Sequence, residues 1–101
     1  MQGAVDQTAL WLGRSLYRHF RKHRWTLGVS TASDYDASAR ATIRGGKRYK
    51  YEDDSTGLPR VGYFEDQTLR HTALTSDEKV ILTHFRAGDK NYPRRRRNST
   101  Y

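Results

Sequence analysis

His19 and His23 stand four residues apart, a spacing that puts both imidazoles on one side of a helix. An imidazole titrates near neutrality, so it can take the proton of a ribose 2′-hydroxyl or give one to a leaving 5′-oxygen. Arg21, Lys22 and Arg24 flank His23. Cations there would hold a phosphate beside the ring and stabilise the charge that grows on the phosphorane oxygens. As like charges they would also bias the imidazole pKa downward. Two other readings of the pair stay open. The two residues are solvated surface histidines, as most surface polar groups are, or they ligate a metal, since a pair at i and i+4 is a zinc-binding geometry. The acidic third ligand of such a zinc site is missing, and His71 and His84 lie far off in sequence. No metal and no cofactor is therefore expected.

The element that must carry this pair begins with Val5, Ala9, Leu12, Leu16 and Phe20, spaced by threes and fours as one buried helical stripe. The spacing predicts one basic amphipathic helix running to about His23. Asp6 would cap its start, Gly13 weakens it, and Arg14, Arg18, Arg21, Lys22 and Arg24 occupy the other face. Thr31 followed three residues later by Asp34 reads as a capping box opening a second helix, with Tyr35 and Ala39 on its inner face. Gly45-Gly46 would end it through a left-handed turn.

From Lys47 the period changes to two, and Tyr49 and Tyr51 alternate with Arg48, Lys50 and Glu52 as in a half-buried strand. Val61 to Phe64, His71 to Thr75 and Val80 to Phe85 follow, separated by short polar turns that favour an antiparallel meander. In the last of these strands the alternation puts Thr83 and Phe85 on one face and His84 on the other, so His84 is structural or exposed. Tyr49, Tyr51, Tyr63 and Phe64 interleave with Arg48, Lys50 and Arg60. That mixture suits stacking on single-stranded nucleic acid, but in a domain so poor in aliphatics the preferred reading is the core face of the sheet. Beyond Ala87 there is little apolar except Tyr92 and Tyr101, and Arg94 to Arg97 could bind phosphates, address the protein or solubilise it. The expected architecture is α+β: two N-terminal helices and a four-stranded antiparallel sheet in a single small domain over residues 1–88. A flexible basic tail over residues 89–101 completes it.

A chain of 101 residues with 35% hydrophobic and 30% charged residues builds one modest core under a large polar surface. Nineteen Lys and Arg against 11 Asp and Glu give a net charge of +8 and a pI near 10.1, which implies a polyanionic partner: nucleic acid, an anionic membrane or an acidic protein. The absence of cysteine excludes disulfides and thiolate-bound zinc. Apolar runs are too short for a signal peptide or a membrane span, so no membrane insertion is expected, and export would need a carrier outside this sequence.

The stretch from Phe20 to Val29, FRKHRWTLGV, resembles the Lys-His motif of colicin D-like tRNA-cleaving domains, the toxic ends of bacterial competition proteins. In these the catalytic histidine follows a lysine and precedes a glycine by five positions, as His23 precedes Gly28. The stretch Ile81-Leu-Thr-His-Phe85-Arg86 looks like that family's last strand, where a hydroxyl residue and an aromatic two positions later line the site. The resemblance covers roughly residues 10 to 88. Beside the cationic or titratable neighbours Arg21, Arg24, Arg86 and His19, which are candidate substrate contacts, it implies catalysis by His23 with Lys22 on the phosphate and Thr83 in the site, and a substrate contact from Phe85. It further implies a metal-independent endoribonuclease that cuts RNA, tRNA in its anticodon loop above all, to 2′,3′-cyclic phosphate and 5′-hydroxyl ends. Its partners would be tRNA and an acidic immunity protein. A monomer would act in the cytoplasm of a target cell, delivered within a larger secreted protein if it is not free-standing. Two departures bear on substrate choice: Phe20 stands where the family has a second lysine, and Phe85 where it has tryptophan. A non-catalytic basic nucleic-acid-binding module is the alternative, held by phosphates alone and indifferent to His23. A helix docking on an acidic protein or a membrane surface is a third reading.

Overall fold

In a computed structural model of the chain, which describes residues 4–101, the first apolar stripe is divided between two helices, α1 (Val5–Thr8) and α2 (Ser15–Leu27). The single helix predicted there is broken at Ala9, which is extended at ψ 143°, and α2 starts only after Gly13 has turned the chain at a left-handed φ of +52°, a conformation that an L side chain resists. The turn brings the backbone of Leu10 against the start of the last strand, its N–H donating to the Lys79 carbonyl at 2.9 Å and its carbonyl accepting from Ile81 N–H at 2.8 Å. Leu12, assigned to the stripe, is consequently 63% exposed. Asp6 does not cap α1, whose N-cap Ala4 makes no side-chain bond. Its carboxylate is buried and pairs with Arg44 at 2.9 Å.

A third helix, α3 (Ala32–Gly45), opens as predicted, with the Thr31 hydroxyl accepting from Asp34 N–H at 3.0 Å. It ends differently. Gly46 is extended at φ −84°, not left-handed, and glycine is needed there because a Cβ would lie 2.6 Å from the Thr42 carbonyl and 3.0 Å from Phe64 N. The helix end thus sits directly on the sheet.

Four strands follow as an antiparallel meander in sequence order: β1 (Lys47–Glu52), β2 (Pro59–Glu65), β3 (Arg70–Thr75) and β4 (Ile81–Arg86). The architecture is α+β with three helices rather than two before the sheet. One sheet face carries Val61, Tyr63, Leu74 and Ile81, packed with Ile43 of α3 and with Ala9. Leu27, Phe20 and Tyr35 join α2 to α3. The other face carries Tyr49 and Phe64, which resolves their two readings in favour of core.

That second face is covered by the C-terminal residues, which do not form the expected flexible tail. Tyr92 and Tyr101 pack on Tyr49, Phe64 and Ala87, and Pro93 opens a short 3-10 turn (Pro93–Arg95). The chain then runs beside β1, where Glu52 N–H donates to the Arg97 carbonyl and Thr100 N–H to the Lys50 carbonyl, both at 2.9 Å. Three of the four arginines meet carboxylates: Arg95 with Asp89, Arg96 with Asp54 and Arg97 with Glu52. These pairs are largely solvent-exposed and contribute little each, so the packing of Tyr92 and Tyr101 is what holds the basic run against the sheet. Among the described residues no helix is long and apolar enough to cross a membrane.

Candidate active site

α2 lies along β4. Leu16, Phe20 and Leu27 point inward with Tyr35, so the helical period turns His19 and His23 toward the strand at the edge of this contact. Gly28, left-handed at φ +68°, closes the helix, its N–H bonding the Arg24 carbonyl. His19 Nδ1 lies 3.1 Å from the Thr83 hydroxyl. The two imidazoles are nearly parallel, 9° apart with centroids at 6.0 Å, and His23 meets the Phe85 ring at 5.9 Å. Thr83 and Phe85 thus share the face that alternation assigned them, and four residues from two elements converge on one half-exposed edge.

Burial is the first cause that lowers the pKa of both histidines. For His19 it is followed by Lys22 and Arg18, and for His23 by His19 and Lys22. The expected like-charge effect is present but second to desolvation. Lys22 itself is exposed beside both rings. Thr83 occupies His19 Nδ1, which leaves Nε2 as the nitrogen able to meet a substrate.

His84 points the other way, into the core. Its Nδ1 lies 3.0 Å from the His71 carbonyl and 2.9 Å from the Thr72 hydroxyl, and its Nε2 2.8 Å from Ser38 Oγ. A carbonyl only accepts, so Nδ1 carries the proton and Nε2 accepts from Ser38. The Tyr35 hydroxyl donates to the His84 carbonyl and accepts from His84 N–H. β4 is thereby pinned to α3 directly behind Thr83.

The remaining sequence candidates are placed less centrally. Arg21 lies on the outward side of α2, where Arg14, Tyr17, Arg18, Arg21 and Lys22 line a shallow depression. Arg24 turns to the Ser30 carbonyl at 3.3 Å and stacks on Phe20, away from the imidazoles. Arg86 is exposed at the end of β4.

Two contributors escape the motif. Trp11 packs on His19 at 6.2 Å and donates from Nε1 to Asp36 at 2.8 Å. His71 lies beneath Phe85 at 5.1 Å, its Nε2 2.6 Å from the Tyr49 hydroxyl and its Nδ1 buried without a partner among the described residues. Gly62 makes room for that pair, since a Cβ there would lie 2.5 Å from the Tyr49 ring. No periodicity ties Trp11 to α2, and a histidine in a strand carries no signal of what lies above it. Among the described residues no three His, Asp or Glu side chains are grouped as metal ligands would be. No protein-family model, curated protein or solved structure matches the chain, and the functional reading rests on the geometry of this site.

Proposed function

We propose that this chain is an endoribonuclease whose centre is His23 with His19, Thr83, Lys22 and Phe85. The observation that carries the reading is the meeting of two parallel imidazoles, both biased toward the neutral form by burial, with the Thr83 hydroxyl at the cationic edge of α2. Neutral imidazole is the form that abstracts a proton. In the proposed reaction His23 removes the proton of a ribose 2′-hydroxyl as that oxygen attacks the adjacent phosphorus. The P–O5′ bond breaks, and a protonated imidazole, His19 or His23 itself, gives its proton to the departing 5′-oxygen. The products are a 2′,3′-cyclic phosphate and a 5′-hydroxyl. Lys22 supplies positive charge for the phosphorane oxygens, Thr83 fixes the His19 ring, and Phe85 offers a surface for a base.

In-line attack needs a backbone able to splay from its helix, which favours an unpaired loop. The resemblance to colicin D-like domains makes tRNA, cut in its anticodon loop, the leading substrate, and an acidic immunity protein the natural partner of so basic a toxin. The test is incubation of the purified protein with total tRNA in EDTA, beside a His23→Ala variant of unchanged circular dichroism. Discrete fragments with cyclic-phosphate ends are expected, with a rate loss of about 10²- to 10⁴-fold in the variant. Intact tRNA, or cleavage indifferent to the substitution, would overturn the catalytic reading, and binding without cleavage would leave the non-catalytic module.

A further inference from the structure

The side of α2 turned away from the sheet meets the histidine site only at Lys22, and its composition is unusual. Between Ser15 and Leu27 there is no acidic residue, and the face presents Arg14, Arg18, Arg21 and Lys22 together with two aromatic rings. Trp25 is 80% exposed and Tyr17 60%. Tyr17, Arg21 and Trp25 follow one another at four-residue steps, about 6 Å each along the axis, so they form one row. Single exposed apolar residues are ordinary, but Trp25 is held in place. The Arg24 guanidinium lies between the Phe20 ring, at 4.8 Å, and the Trp25 ring, at 4.7 Å, and is anchored to the Ser30 carbonyl. One face of the indole is thus occupied by a fixed cation, and the opposite face is presented to solvent. A flat aromatic surface ordered before binding loses little entropy when a base stacks on it.

We propose that this outer face of α2 is a second RNA-contacting surface, where an unpaired base of the substrate stacks on Trp25 while Arg14, Arg18 and Arg21 take its phosphates. The identification of the polyanion as RNA rests on the ribonuclease reading. Lys22 links the two surfaces, since it acts on both imidazoles and also lines the depression with Arg18 and Arg21. A strand whose scissile phosphate sits at His23 therefore crosses Lys22 onto this face. An acidic protein would be satisfied by the cations, whereas a π-face backed by a guanidinium suits a nucleobase.

The experiment titrates a single-stranded RNA oligonucleotide into the His23→Ala protein, which removes cleavage, and follows tryptophan fluorescence. Of the two tryptophans, Trp11 lies against His19 in the histidine site, so the titration is made in a background that also carries Trp11→Phe, where quenching reports Trp25. Quenching is expected, and a Trp25→Leu substitution in the same background should abolish it and weaken binding roughly 5- to 150-fold. Arg18→Gln with Arg21→Gln should lower the salt slope of binding by about two phosphate contacts. Unchanged affinity on Trp25→Leu would overturn the proposal, as would quenching by poly-glutamate but not by RNA. Failure of the ribonuclease reading looks different: RNA would quench Trp25 and depend on it, yet the unsubstituted protein would leave that RNA intact.

Discussion

The four histidines divide by environment. His19 and His23 are half-buried and open to a substrate, whereas His71 and His84 are fully enclosed, with pKa values pushed down to about 3 by burial. The enclosed pair is neutral when folded, while an unfolded chain takes up protons near pH 6.5. The unfolded state therefore binds more protons below that pH. Stability should be full above about pH 6.5 and fall toward pH 3, by about 1.4 kcal/mol per pH unit for each histidine well inside that window. Urea unfolding between about pH 7 and 5 checks this, and a flat profile would show that neither imidazole is enclosed. That His84 faces away from Thr83 and Phe85 was legible from strand alternation, but alternation left open whether that side was buried or exposed. The meeting of Thr83 with His19 was not, because 64 residues separate them and no local period spans that distance. Lys22 was readable as a neighbour of His23, but Arg24, equally adjacent, turned out to serve Trp25 and Ser30. Adjacency in a helix places side chains 100° apart, so flanking residues need not share a site.

Among the elements, the strands and the capped helix α3 followed the sequence closely, because alternation and a Thr-Asp cap are local signals. The break between α1 and α2 did not. The apolar spacing runs on through Gly13, and what stops the helix is the pairing of Leu10 with the start of β4, a tertiary contact. Two hydroxyls of α3 reach His84 of β4, Ser38 at the ring and Tyr35 at the backbone. Tyr35 satisfies both the N–H and the carbonyl of His84, groups that point away from β3. Tyr35→Phe should preserve packing yet leave both groups buried and unpaired, costing about 1–3 kcal/mol. Chemical denaturation measures the loss, and hydrogen exchange at His84 N–H should quicken with it. Equal stability would mean that water enters to replace the hydroxyl.

At the scale of the whole molecule, the C-terminal residues complete the core. Low apolar content from Ala87 onward suggested a free tail, but Tyr92 and Tyr101 are the cover for Tyr49, Phe64 and His71. Sequence composition could not reveal this, since the acids that meet the arginines come from distant turns and strands. Removing residues 89–101 should cost on the order of 3 kcal/mol or more, through loss of the aromatic contacts. The thermal midpoint should then fall by more than about 12 °C. An unchanged midpoint would restore the tail reading. The same segment occupies one rim of the sheet through Arg97 and Thr100, while Leu10 and the Tyr35 hydroxyl occupy the other along β4. Lys50 and Glu52 on one rim, and Ile81 and His84 on the other, are thus bonded from within, and each edge open to β-augmentation is shortened and interrupted. A protein that captures the domain gains more from side chains and charge than from a backbone ladder, and crowded copies lack a long continuous edge along which to pair strand to strand.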